Sequence, residues 1–312
     1  MPTCLIPCPK RWPMPLRHWS SAHSVNVFAM PRSRSMQQAM PAPLSPSLPW
    51  RTRLARNTFV RVIAGIACVM GPFILAMLLA QKLVPAEARI VWHHLLAAAL
   101  SLGGYRFFVR RFEQRAASEI ELRGALPGLL RGLGIGTAIS VSVVAILAAA
   151  GSLTIAGGGN VGAAFKPLSE QVMVAVMEEL LFRAVLFRII EARWGTLTSL
   201  LVNVLLFAVA HLSNEHVTAL AVLNTGVAGL GLCAGWLLTR NLWLPVGMHF
   251  AWNYLFDGVM GVPVSGHAAR GWLHVQLSGP DWLSGGAYGV EGSLITLLAW
   301  GAAAAWMLRA RA

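Results

Sequence analysis

Charge is what this 312-residue chain has least of, and negative charge above all. Asp, Glu, Lys and Arg make up 12% of it, against about 25% in an ordinary soluble domain. Apolar residues reach 56%, and mean hydropathy is +0.61. A soluble domain cannot bury that much apolar surface, so the soluble classes are excluded. Disorder is excluded beyond the first fifty residues, because disordered chains are poor in apolar residues. What remains is an integral membrane protein. Cysteine is scarce too. Cys68 and Cys233 sit in apolar runs, while Cys4 and Cys8 match no standard zinc-ribbon spacing, so no structural disulfide is expected.

Also missing is a secretory signal. Residues 1–50 are rich in Pro, Ser and Arg, and lack an apolar stretch that ends in a small-residue cleavage site. The acid-free leader reads as a disordered, basic tail over 1–57 on the cytoplasmic side in preference to a transit peptide. Met30, Met36 and Met40 stand as candidate alternative starts.

The net charge of +13 would raise nucleic-acid binding if it formed one patch. Instead it falls at the ends and between apolar runs. Residues 1–57 hold eight Lys/Arg and no acid, a second cluster runs from Arg106 to Arg131, and the chain closes on Arg309 and Arg311. Basic flanks beside apolar spans set orientation during insertion and attract anionic lipid head groups. Nucleic acid is therefore not an expected partner; membrane lipid is.

A membrane-crossing helix takes about 20 mostly apolar residues. Runs at 62–80, 90–105, 132–165, 168–190, 194–214, 216–239, 242–256 and 292–308 predict a polytopic, all-α bundle of about eight spans. Gly231 and Gly235 in the sixth run are spaced for close helix approach. The expected units are the tail, three N-terminal helices over 58–156, a four-helix core over 165–258, a Gly/Trp-rich loop over 259–290, and a last helix over 291–312. An even span count returns both termini to the cytoplasmic side of the cell (inner) membrane. The clusters at 106–131, Arg188, Arg193 and Arg240 then share that side.

Charges inside the fourth run break the rule. A charged side chain at mid-membrane costs several kcal/mol and is rarely kept without a function. Glu178, Glu179 and Arg183 lie in its middle. Glu179 and Arg183 are four apart and can pair, whereas Glu178 points about 100° away and needs another partner. Candidates come from later spans: Phe207 and His211 four apart, then His249 and Asn253 four apart, each pair on one helix face. At about 1.5 Å per residue, Glu178 lies roughly 18 Å, His249 roughly 10 Å and His211 roughly 25 Å from the inner ends of their runs. Such a set suits water chemistry on a carbonyl. A carboxylate is a general base, a His beside it holds the water, and a His–Asn pair donates to an oxyanion. Glu178, His211 and His249 are equally candidate ligands for a divalent metal such as zinc. The H-E-x-x-H metalloprotease motif is absent.

At these residues the sequence resembles the CAAX protease and bacteriocin-processing (CPBP, or Abi) family of intramembrane proteases. Its E-E-x-x-x-R motif stands as Glu178-Glu179-Leu-Leu-Phe-Arg183, its F-x-x-x-H motif as Phe207-Ala-Val-Ala-His211, and its H-x-x-x-N motif as His249-Phe-Ala-Trp-Asn253. The likeness covers about 165–256, and the 278–293 stretch resembles tails of bacterial members. It implies an endopeptidase in which Glu178 activates water with His211, Glu179 pairs with Arg183, His249 and Asn253 form the oxyanion hole, and Phe207 packs beside the site as a candidate substrate contact. The implied partner is a protein or peptide substrate, and the implied cofactor is none or a divalent metal. The alternatives are a non-catalytic immunity or assembly factor of the same family, or a proton-coupled transporter, although no inverted internal repeat is visible.

Overall fold

The computed structural model describes residues 57–268 and 270–311. Of the tail expected over 1–57, residues 1–56, with Cys4 and Cys8, lie outside them, and Asn57 already caps the first helix. The described chain is mostly helical. In order come α1 (Thr58–Leu83), α2 (Trp92–Phe108), α3 (Ala125–Ala149), β1 (Leu153–Gly158), α4 (Leu168–Glu179), α5 (Arg188–Ala210), α6 (Ala219–Thr239), α7 (Trp243–Tyr254), β2 (Leu273–Leu277) and α8 (Leu294–Arg311). By length and composition, α1, α3 and α6 suffice to cross a membrane.

Local chemistry sets the ends. The Asn57 side chain accepts from the Phe59 and Val60 amides at 3.0 and 3.2 Å and starts α1, and the Thr218 hydroxyl caps α6 through the Ala221 amide. Arg240 stops α6 in the left-handed region, its amide donating to the Trp236 carbonyl at 2.7 Å. Each cap satisfies backbone groups that the helix leaves free.

Several expected boundaries move. α3 begins at Ala125, not 132, because Arg131 sits on its exposed side and does not interrupt it. α4 does not end at 190. It continues through a wider, π-helical stretch (Leu180–Phe187) into α5, and the break falls at Gly195, whose φ of 84° lies in the left-handed region. α7 likewise continues through a π-helical stretch (Leu255–Met260) as far as Gly261. The loop expected at 259–290 is partly ordered. Its β2 pairs antiparallel with β1, which occupies the Gly-rich stretch after α3 and carries an irregularity between Ile155 and Gly157. Three glycines in a row hid that strand, because Gly weakens strand propensity.

The π-helical stretch after α4 frees carbonyls that lipid could not satisfy. Side chains collect them. The Asn203 amide donates to the Phe182 carbonyl at 2.6 Å and the Ser199 hydroxyl to Phe187 at 2.7 Å, while Arg188 and Tyr105 both donate to Ala184. Glycines let α3 and α7 touch: a Cβ at Gly132 would lie 2.1 Å from the Leu244 carbonyl oxygen, and one at Gly136 2.5 Å from that of Met248. Gly231 and Gly235 serve side-chain packing instead, giving room to the Trp300 ring of α8 and to Leu244.

One end of the bundle gathers the charges expected to share a side. Glu113 accepts from Arg61 at 2.5 Å and lies 2.9 Å from Arg188, and Glu119 accepts from Arg115 at 2.6 Å. Glu191 pairs with Arg240 nearby. Residues 259–268 and 270–272 lie at the opposite end. There Arg270 donates to Asp257 and Glu170, both at 2.5 Å.

Candidate active site

The hairpin that breaks at Gly195 decides which residues meet. Glu178 precedes Gly195 by about as many residues as His211 follows it, so an antiparallel pair sets them at similar depth. Counting from 190 and 194 had set them apart. His211 ends α5 rather than lying within a span.

Glu178, Phe207, His211, His249 and Asn253 all line one cavity of about 600 Å³. Glu179 and Arg183 lie behind its wall, fully buried and paired at 2.9 Å. The same Glu179 oxygen is 2.9 Å from His249 Nδ1. A carboxylate between a guanidinium and an imidazole fixes the imidazole: Nδ1–H donates to Glu179, and Nε2 turns toward Glu178. Arg183 also donates to the Gly229 carbonyl at 3.1 Å and rests 4.8 Å from the Phe207 ring centre. Thus α4, α5, α6 and α7 are held around one ion pair. Removing either partner would strand a buried charge, which costs about 3–5 kcal/mol.

Glu178 is differently placed. Its Oε2 is buried with no hydrogen-bond partner and lies 3.9 Å from His249 Nε2. That gap is too long for a direct bond. His211 Nδ1 is held by the Phe207 carbonyl at 2.7 Å, which leaves Nε2 free. Phe207 meets Phe182 edge-on, with ring centres 4.9 Å apart.

Several cavity residues escaped the sequence reading. Asp257 takes the Gln171 amide at 2.8 Å besides Arg270. Its signal was available, since His249, Asn253 and Asp257 repeat every four residues, but the seventh run was closed at 256. Glu291 accepts from Trp252 Nε1 at 2.8 Å and from the Ser265 amide and hydroxyl at 2.5 and 2.8 Å. A lone acid just before the last apolar run was its only mark.

Zinc takes His, Cys or carboxylate ligands at about 2.0–2.3 Å. Among the described residues, no three His, Cys, Asp or Glu side chains lie close enough together to hold an ion. Glu178, His211 and His249 share the cavity without converging that far. As arranged, they do not fit a bound metal.

Residues 160–255 match a family described as type II CAAX prenyl endopeptidase Rce1-like. That segment, under a third of the chain, holds all three motifs. Over that segment the chain is similar to a CAAX/CPBP-type family of intramembrane proteases. With its apolar helices, the match identifies an integral membrane protein. No curated protein and no solved structure matches the chain.

Proposed function

We propose that the protein is an intramembrane endopeptidase in which Glu178 activates water. The observation that carries this reading is the unpartnered Glu178 oxygen, 3.9 Å from His249 Nε2, on the wall of a cavity of about 600 Å³. A carboxylate with no donor of its own is poised to take a proton, as a general base requires.

In this mechanism a water sits between Glu178 and the free Nε2 of His211. Glu178 takes one proton as the water oxygen attacks the peptide carbonyl carbon. The carbonyl π electrons move to oxygen. Asn253 donates an N–H to that oxyanion, and so does Nε2–H of His249 when its ring is an imidazolium. Glu179 offsets Arg183, and the oxyanion takes over from Glu178 the charge that balances the imidazolium as Glu178 gains its proton. Collapse of the intermediate breaks the C–N bond, and the proton on Glu178 passes to the leaving amine. Glu179 and Arg183 touch no reacting atom; they hold the His249 ring in orientation through its Nδ1. Phe207 packs under the site and is the proposed substrate contact.

The family match supports a peptide substrate, and its description points to prenylated C-terminal peptides as a first panel. We place all eight long helices across the membrane, with both termini on the basic side. The test compares peptide termini by mass spectrometry in cells that express wild type or Glu178→Ala. Termini produced by wild type and missing from the variant are expected. Identical sets with equal protein levels would reject proteolysis and leave the non-catalytic scaffold reading.

A further inference from the structure

The basic end of the bundle divides its arginines into two kinds. Arg61, Arg115 and Arg188 are neutralised by Glu113 and Glu119. Arg106, Arg110 and Arg111 are exposed and pair with no carboxylate among the described residues. Residues 1–56 contain no Asp or Glu that could serve them. The three line one shallow groove of about 440 Å³ with Gly103 and Phe107. The chain builds this convergence: α2 passes into a π-helical turn (Val109–Glu113), which sets Arg110 and Arg111 beyond Arg106. Like charges so placed repel one another, and an anion between them relieves that repulsion.

What leads into the groove tells what the anion is attached to. Leu96, Leu100, Gly103 and Phe107 follow one another at intervals of four, three and four, hence along one face of α2. Leu96, Leu100 and Phe107 are 43%, 39% and 58% exposed. A Cβ at Gly103 would meet nothing, so that face carries an open notch. An apolar track that ends in three guanidinium groups has the layout of a phospholipid, with acyl chain along the track and phosphate at its end. Guanidinium forks bind phosphate oxygens in pairs, which suits them to this partner.

From this we infer that the groove at the basic end of α2 binds the head group of an anionic phospholipid. The site is separate from the cavity and stands whether or not the protein is a protease.

The test uses the full chain in phosphatidylcholine nanodiscs with cardiolipin as the minority lipid. Native mass spectrometry reads the cardiolipin retained. Each Arg→Gln change in the groove is expected to weaken retention about five-fold, and the triple variant R106Q/R110Q/R111Q about a hundred-fold. Arg123→Gln, an exposed arginine at the same end but outside the groove, is expected to retain cardiolipin as wild type does. Equal retention by the triple variant overturns the proposal, as does an equal loss in the Arg123 variant. Displacement of cardiolipin by millimolar inorganic phosphate also overturns it, in favour of a free-anion site. Thermal unfolding in phosphatidylcholine alone is expected to be unchanged in the triple variant; a large drop there would make the arginines part of the fold and overturn a lipid site.

Discussion

In the proposed mechanism two adjacent glutamates carry opposite duties, and substitution separates them. Glu178 has a free oxygen on the cavity wall; Glu179 is bonded to Arg183 and His249 behind it. Glu178→Gln keeps the shape and removes the base. It is expected to insert and unfold like wild type while cleavage falls by at least about 100-fold, the usual reach of a general base. Arg183→Met strands Glu179 and His249 in the interior. It is expected to lose about 3–5 kcal/mol, read as a lower unfolding temperature in detergent. A Glu178→Gln variant that unfolds early, or an Arg183→Met variant that does not, would reverse the two roles. The motif residues were legible because polar side chains in apolar runs are costly enough to advertise themselves. Asp257 and Glu291 were not, since each lies just outside the run that would have made it conspicuous.

Elements carry the site through two devices, a widened helix and a glycine contact. The π-helical stretch after Glu179 depends on Asn203, which takes the Phe182 carbonyl at 2.6 Å. Asn203→Leu leaves that carbonyl bare and is expected to lower stability by about 1–3 kcal/mol. The α3–α7 contact admits no side chain at Gly132, where a Cβ would come within 2.1 Å of the Leu244 carbonyl oxygen. Gly132→Val pushes α7 outward and, with it, His249. Cleavage is expected to fall more than about ten-fold. Gly134→Ala, where a Cβ meets nothing, serves as the matched control and should leave it unchanged. All eight long helices were legible as apolar runs. Their ends were not, because charge was taken as the boundary. Arg131 turned out to lie on a helix surface, while the true break at Gly195 is a matter of backbone geometry. The β1–β2 pair was invisible, since pairing across more than a hundred residues leaves no local pattern.

For the whole molecule, the two ends of the bundle differ in chemistry, and each difference can be read out. At the basic end, Glu113 and Glu119 clamp α1, the α2–α3 loop and α5. Burial alone would raise their pKa values, but the arginines outweigh it and hold both below the ordinary value of 4.5. Because the folded values are lowered, the stability they contribute is present above 4.5. It is lost as pH falls from there through the folded values. Unfolding temperature is therefore expected to hold from neutral pH to about 4.5 and drop below it. The Glu113→Gln/Glu119→Gln variant should start lower and lose part of that acid drop. At the other end, the cavity reaches Glu170, Ser265, His267 and Arg270, so it opens away from the basic cluster. In the orientation proposed from the excess of Lys and Arg, that cluster is cytoplasmic and the cavity mouth faces the opposite side. In a cysteine-free background, Ser265→Cys should react with a membrane-impermeant thiol reagent in intact cells. Arg110→Cys should react only after permeabilisation. The reverse pattern would turn the molecule over and bring its mouth to the cytoplasm, where a prenylated C-terminus would meet it directly. Labelling thus fixes the side on which substrates are to be sought, because the cavity lies at one end of a bundle whose other end is closed by ion pairs.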